Sequence, residues 1–295
     1  MCDEFTEKDI ENLNGNDGFN RRTFTKLSSI ATFMALLPGC AASDVSESAI
    51  TETEVDVQMP DGVSDSYFVH PSSGQHPAIL MWPDIKGLRP AFKAMGKRLA
   101  MAGYSVLVVN PFYRDAKAPV VGPDASFSDP DTRTFLRGMA SKLTQDAAMS
   151  DARAYISFLD DQSSVDTSRK IGTAGYCMGG PLIMRTAAAV PDRVGAAASF
   201  HGGGLVTDKE DSPHLLIPKS PAHVLHAVAE NDDARDPEAK IVLAKAYEDA
   251  GIPAEIEVYA GANHGWCPPD SAAYNEVQAE KAWSRMLALY ESALS

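Results

Sequence analysis

The sequence predicts an α/β fold: a mostly parallel, twisted sheet with helices on both faces. Three observations predict it. Short continuous apolar runs such as Ala78-Ile79-Leu80-Met81-Trp82 recur along the chain, and such runs suit strands buried on both faces of a parallel sheet. Segments with apolar residues at helical spacing separate them, beginning with Phe92, Met95, Leu99 and Ala102. This alternation persists to the carboxyl terminus, and strand–helix–strand units at such spacing imply parallel pairing.

The elements follow in order. Residues 55–58 and 66–69 alternate in polarity around the turn signal Asp61-Gly62 and read as a hairpin. After the strand at 78–82, a helix spans 90–102 and Gly103 ends it. Residues 104–109 form the next buried strand, stopped by Asn110-Pro111. Residues 114–131, rich in Pro, Gly, Asp and Ala, read as a long loop. Helical patterning resumes through Met149, Ala152, Tyr155, Ile156 and Leu159. Strand 170–176, helix 178–189 and strands 195–200 and 223–229 follow. Helix 238–250 closes on Gly251, strand 254–259 comes next, and Ala279, Trp283, Met286, Leu287 and Tyr290 stripe a terminal helix. No internal repeat interrupts this series.

Composition narrows the functional classes. The chain has 295 residues, 44% hydrophobic and 22% charged, an ordinary globular balance. Its net charge of −14 argues against nucleic acid and against a basic membrane-docking patch. Its four cysteines, Cys2, Cys40, Cys177 and Cys267, share no CxxC spacing. They give neither a zinc site nor a disulfide scaffold, so no metal and no cofactor is expected. The sequence leaves monomer and dimer open.

Residues 1–40 read as an export signal. Asn20-Arg21-Arg22-Thr23-Phe24-Thr25-Lys26 precedes an apolar stretch at 27–37, and the paired arginines resemble a twin-arginine signal, a route that exports folded proteins. Leu37-Pro38-Gly39-Cys40 resembles a lipobox with Cys40 as the lipidated residue, although Pro38 is not the usual small residue. Residues 41–53, rich in Ser, Ala and acids, read as a linker, and 54–295 as one folded domain. The expected location is the periplasm or a lipid anchor; the alternative is the cytoplasm, with the segment an uncleaved tail.

The sharpest local feature is Gly175-Tyr176-Cys177-Met178-Gly179-Gly180, between a strand and a helix. That is the setting of the G-x-S-x-G nucleophile elbow of α/β-hydrolases, with Cys in place of Ser. Side chains two residues either side of the nucleophile would collide, so Gly175 and Gly179 leave room. The helix amino terminus directs N–H groups and its positive dipole end at the sulfur and at a developing oxyanion. Triad partners follow in the order acid, then histidine. Glu230-Asn231-Asp232-Asp233 follows one late strand, offering Asp232 or Asp233. Gly261-Ala262-Asn263-His264-Gly265 follows the last strand, offering His264 as the base.

The combined pattern resembles the dienelactone hydrolase family from about Thr53 to the carboxyl terminus. The segment Gly175-Tyr176-Cys177-Met178-Gly179-Gly180 is close to that family's elbow. Ala229-Glu230-Asn231-Asp232 is similar to its G-x-x-D segment, with Ala for the first Gly, which selects Asp232 as the acid. Gly261-Ala262-Asn263-His264-Gly265-Trp266 resembles G-A-x-H-x-F, Asp84-Ile85-Lys86-Gly87 resembles E-x-x-G, and Pro111-Phe112-Tyr113-Arg114 resembles P-D-L-Y-x-R. The resemblance implies a triad of Cys177, Asp232 and His264 that cleaves small esters or lactones through a cysteine acyl-enzyme. It also implies an oxyanion hole from the backbone N–H groups of Ile85 and Met178. It places Asp84 where a family glutamate meets the resting thiol, one methylene shorter here. Arg114 lies near one of two arginines that hold the substrate carboxylate; the second falls where this chain has Cys267-Pro268-Pro269. Tyr113 and Trp266 are candidates for pocket and core alike. His201-Gly202-Gly203-Gly204 looks like a lipase oxyanion motif but follows the nucleophile, and reads as a strand cap that shapes the pocket. A thiol redox protein using Cys177 and Cys267, or a non-catalytic binding protein on the same fold, are the competing readings.

Overall fold

A computed structural model describes residues 49–295. The expected export signal and lipobox, and the linker up to residue 48, lie outside the described residues. The chain enters the sheet at Ile50, so the last residues of the expected linker at 41–53 are strand instead. Strands β1 (Ile50–Met59) and β2 (Gly62–Pro71) form an antiparallel hairpin about Asp61, with Val55 opposite Ser66. It extends beyond the alternating segments on both arms, because backbone pairing continues past the residues that carry the polarity pattern.

The remaining elements are β3 (Ala78–Trp82), α1 (Pro90–Met101), β4 (Ser105–Val108), α2 (Pro130–Ala140), α3 (Gln145–Asp160), β5 (Ile171–Tyr176) and α4 (Gly179–Ala189). They continue with β6 (Val194–Phe200), β7 (His223–Ala229), α5 (Glu230–Arg235), α6 (Pro237–Ala250), β8 (Ala254–Tyr259) and α7 (Glu276–Ala293). The sheet order is β1-β2-β4-β3-β5-β6-β7-β8. Strands β3 to β8 pair in parallel, and β2 meets β4 antiparallel.

The strand side chains divide into two cores. Leu80, Trp82, Leu107 and Val109 pack with Tyr155 and Leu159 of α3 and Leu182 and Ile183 of α4. Ile79, Met81, Val106 and Val108 face the other way, against Phe92 and Leu99 of α1 and Met286 and Tyr290 of α7. This is the period-two alternation of a strand with helices on both faces. It explains why β3 is buried at every position.

Helices α2 and α5 depart from the sequence expectation, as does a short 3-10 helix at Pro213–Lys219. Helix α2 begins at the end of the expected loop, with Asp129 accepting the Thr132 N–H at its amino terminus. It buries only Leu136 and Met139, too few to show a helical stripe. Helix α5 buries no residue, so its acidic sequence resembles a turn.

The parallel register sets the position of the site. Tyr176 lies opposite Phe200, Phe200 opposite Ala227, and Ala229 opposite Tyr259. The residues that follow these strand ends therefore emerge together at the carboxyl edge of the sheet, where open α/β sheets bind ligands.

Candidate active site

Cys177 occupies the turn between β5 and α4 with φ of 52°, in the left-handed region that non-glycine residues seldom enter. The glycines around it are sterically required. A Cβ on Gly175 would stand 2.1 Å from the Gly179 carbonyl oxygen, and one on Gly179 2.5 Å from the Trp82 carbonyl oxygen. The second contact presses the elbow against the end of β3, which leads into Ile85. The Trp82 indole N–H also donates to Thr186 Oγ1 at 3.0 Å, tying β3 to α4. Cys177 is buried, and its backbone N–H is bonded to the Phe200 carbonyl.

His264 sits on the loop after β8 and Asp232 in the first turn of α5. His264 Nδ1 donates to Asp232 Oδ2 at 2.6 Å, with both side chains nearly buried. A carboxylate can only accept, so this bond fixes the proton on Nδ1 and leaves Nε2 as the basic nitrogen. Three further bonds hold the two segments in register. Glu230 N–H donates to the Ala262 carbonyl at 2.9 Å, Gly261 N–H to Glu230 Oε2 at 3.0 Å, and His264 N–H to Asn231 Oδ1 at 2.8 Å. Burial alone would raise the Asp232 carboxyl; His264, with help from Arg235 at 2.5 Å, outweighs it and holds the group below the usual carboxylate value. Asp233 points elsewhere, to Lys240 at 2.5 Å.

A cavity of about 460 Å³ opens on Cys177, within the size range of small-molecule sites. Ile85 and Met178 share its wall with Cys177, Phe127, Leu143 and Leu182. Gly203 also lines it, so part of the His201-Gly202-Gly203-Gly204 segment does shape the pocket. His201 itself is buried with φ of 41°, its ring 5.1 Å from those of His264 and Trp266. Burial, then the neighbouring His264, pushes its pKa well below the usual value, so it packs beside His264 as a neutral ring.

The structure gives the other expected contact residues partners of their own. The Asp84 carboxylate takes two bonds from Arg89, at 2.6 and 2.8 Å. Arg89 also bonds Asp270 at 2.7 and 3.0 Å. Arg89 thereby links the Ile85 loop to the chain beyond His264. Arg114 does not line the cavity; Asp151 and Asp61 hold it, with Asp151 wholly buried. Tyr113 donates to the same Asp151 at 2.8 Å and serves the packing of α3. Trp266 is fully buried and stacked on Tyr259, and so braces the His264 loop from behind.

Arg137, Arg185 and Lys209 do line the cavity, and sequence reading passed over all three. One signal was present: Arg185 is the only charged residue of α4, Gly-Gly-Pro-Leu-Ile-Met-Arg-Thr-Ala-Ala-Ala. For Arg89 there was none, because Asp270 lies 181 residues away. Cys267 is a buried free thiol whose pKa burial raises. It lines a separate cavity of about 240 Å³ with Tyr176, Phe200 and Met286.

Comparison with known proteins agrees with this architecture. A Methylorubrum extorquens protein named as a carboxymethylenebutenolidase is 27% identical over 292 residues, covering 95% of each chain. An Escherichia coli K12 protein of the same name is 27% identical over 224 residues, 73% of this chain and 77% of its own. A solved Klebsiella pneumoniae structure named as a dienelactone hydrolase superposes with a TM-score of 0.72 at 22% identity. That match covers 82% of this chain and 99% of the other. The model of the dienelactone hydrolase family matches residues 64–294. With the matched region spanning both the elbow and the loop of His264, the chain is a hydrolase that belongs to the dienelactone hydrolase family.

Proposed function

We propose that this enzyme hydrolyses small esters or lactones through a thioester on Cys177. The observation that carries the reading is the placement of Cys177. It sits in a strained elbow at the amino end of α4, on the wall of a cavity that Ile85 and Met178 also line. The Asp232–His264 pair supplies the base.

The Cys177 sulfur, its proton passed to His264 Nε2, attacks the substrate carbonyl carbon. The carbonyl electron pair moves to oxygen, where the N–H groups of Met178 and Ile85 stabilise it. Collapse expels the alkoxide, which takes the proton from His264 and leaves an acyl-thioester. In a lactone the same step opens the ring. Water then attacks the thioester with His264 as base, and the acid departs as the thiol is restored. Asp232 holds the imidazole orientation and steadies its charged form.

The test is hydrolysis of para-nitrophenyl acetate by wild type and Cys177→Ala, with mass spectrometry of the quenched wild type for an acetyl group on Cys177. Loss of turnover in a folded variant is expected. Retained turnover would overturn the nucleophile assignment. We propose further that residues 1–40 direct export. Sequencing the mature amino terminus from fractionated cells tests this, and a full-length cytoplasmic chain would refute it.

A further inference from the structure

The cavity of about 240 Å³ that Cys267 lines lies on the other face of the sheet from the Cys177 cavity. Tyr176, Phe200, Cys267 and Met286 on its wall belong to the core packed against α1 and α7. Leu143 and Leu182 of the Cys177 cavity belong to the core packed against α3 and α4. The chemistry at Cys177 gives this second cavity no role.

Four aromatic rings shape it. Tyr176 and Phe200 are buried and stacked at 4.8 Å, while Tyr274 and Trp283 are partly exposed. Among the described residues that line it, the only charged ones are Arg98 and Glu280, both half-exposed. Arg98 lies 4.1 Å over the Trp283 ring and donates two bonds to Glu280, each of 2.6 Å. The two charges answer each other, so the wall offers an incoming ion no free counter-charge.

Tyr176 supplies a polar handle. The residue is 2% exposed, and among the described residues its hydroxyl makes no hydrogen bond, although a buried phenol oxygen ordinarily finds a partner. The electrostatic neighbours of that hydroxyl are Cys267 and Arg98, both on the cavity wall, which sets it on the cavity side of its ring. Burial raises the pKa of the hydroxyl and of the Cys267 thiol well above their usual values, so both stay neutral. An apolar cavity of about 150 Å³ admits benzene, so this one has room for a substituted ring. A charged ligand would lose its hydration without compensation.

We propose that this cavity is a binding site for a small neutral aromatic molecule that carries one hydroxyl or carbonyl oxygen. The ring packs among Phe200, Tyr274 and Trp283, and the oxygen meets the Tyr176 hydroxyl.

The test uses 4-ethylphenol, with ethylbenzene as the counterpart that lacks the hydroxyl, each titrated against the full chain by ligand-observed NMR. Wild type should bind 4-ethylphenol with a Kd of roughly 1 mM or tighter, and ethylbenzene more weakly. Ala279 lies on the wall; Ala279→Phe places a ring in the cavity and should weaken both by about tenfold or more. Tyr176→Phe keeps the ring and removes the hydroxyl. It should weaken 4-ethylphenol by about threefold to tenfold, the weight of one neutral hydrogen bond, and leave ethylbenzene unchanged. No binding to wild type would overturn the proposal. So would unchanged binding in folded Ala279→Phe, which would put the molecule in the Cys177 cavity or elsewhere. If Ala279→Phe does not fold, Tyr176→Phe decides alone, and an affinity for 4-ethylphenol equal to that of wild type refutes the assignment. No readout here depends on turnover, so the outcome is separate from that of the nucleophile test.

Discussion

Replacing Arg89 with methionine removes the tie between the two loops that frame the site. Arg89 makes five hydrogen bonds: two to Asp84, two to Asp270 and one to the Gly87 carbonyl. The methionine keeps much of the apolar stem, so the loss is mainly electrostatic. Asp270 is 41% exposed, and its share is that of a surface pair, about 0–1 kcal/mol. Asp84 is only 13% exposed. Without Arg89 it stays desolvated, with the Lys86 N–H as its remaining donor among the described residues. Breaking a buried pair on one side costs about 3–5 kcal/mol, and the retained Lys86 bond favours the lower end, about 3 kcal/mol. For a domain of this size that corresponds to a fall in Tm of roughly 6–12 °C. Activity should fall as well, up to about a hundredfold, because the Ile85 loop and the His264 loop lose a shared anchor. Urea and thermal unfolding, with ester turnover measured well below the transition, check both numbers. Arg89→Met/Asp84→Leu should recover part of the stability and little of the activity. A loss below about 1 kcal/mol in Arg89→Met would refute the reasoning, because it would mean that solvent already screens Asp84.

Three further outcomes are expected. Asp232→Asn should lower kcat by about 10²–10⁴-fold through loss of the orienting carboxylate, whereas Asp233→Asn, which only releases Lys240, should change it little; the reverse order in steady-state assays would move the acid by one residue. Gly175→Ala should cost roughly 3 kcal/mol or fail to fold, since its Cβ would stand 2.1 Å from a backbone oxygen that cannot yield without moving the elbow; a melting curve like wild type would show that the turn is looser than described. Burial holds the pKa of His226 down from 6.5 to about 4. The unfolded chain therefore takes up a proton first as pH falls. Stability attributable to His226 is full above pH 6.5 and declines by about 3 kcal/mol by pH 4. His226→Gln should flatten that slope, and an unchanged slope in urea titrations would assign it to other groups.

The strands were legible because burial on both faces writes itself as an uninterrupted apolar run. Residues 78–82 needed no structural context to be recognised, and neither did the elbow, where Gly175 answers to Gly179 four residues on, although Gly179 itself answers to the distant Trp82 carbonyl. Helix α2 was not legible for the opposite reason. Its stability comes from the Asp129 cap, Pro130 at its first position and two buried side chains, none of which makes a periodic stripe. Helix α5 was hidden because it buries no residue: its polar residues, among them the Asp232 that meets a loop 32 residues onward, read as a turn.

The site divides along the same line. The proposed triad is set by chain order, since Cys177, Asp232 and His264 each follow the end of a particular strand, and chain order can be read. Which arginine faces the substrate is set by reach and by competition among partners. Arg114 occupies a position that resembles a substrate contact, yet Asp61 and Asp151 stand close enough to engage all three of its nitrogens. Asp84, one methylene short of the family's glutamate, is captured by Arg89 in the same way. Among the described residues Arg185 is held by one carbonyl, its neighbours on α4 are largely apolar, and no acid among them lines the cavity. A charged side chain on an apolar helix is therefore more informative about ligand chemistry than one that aligns with a motif among acids. The acids decide whether a cation remains available, and they can lie anywhere in the sequence.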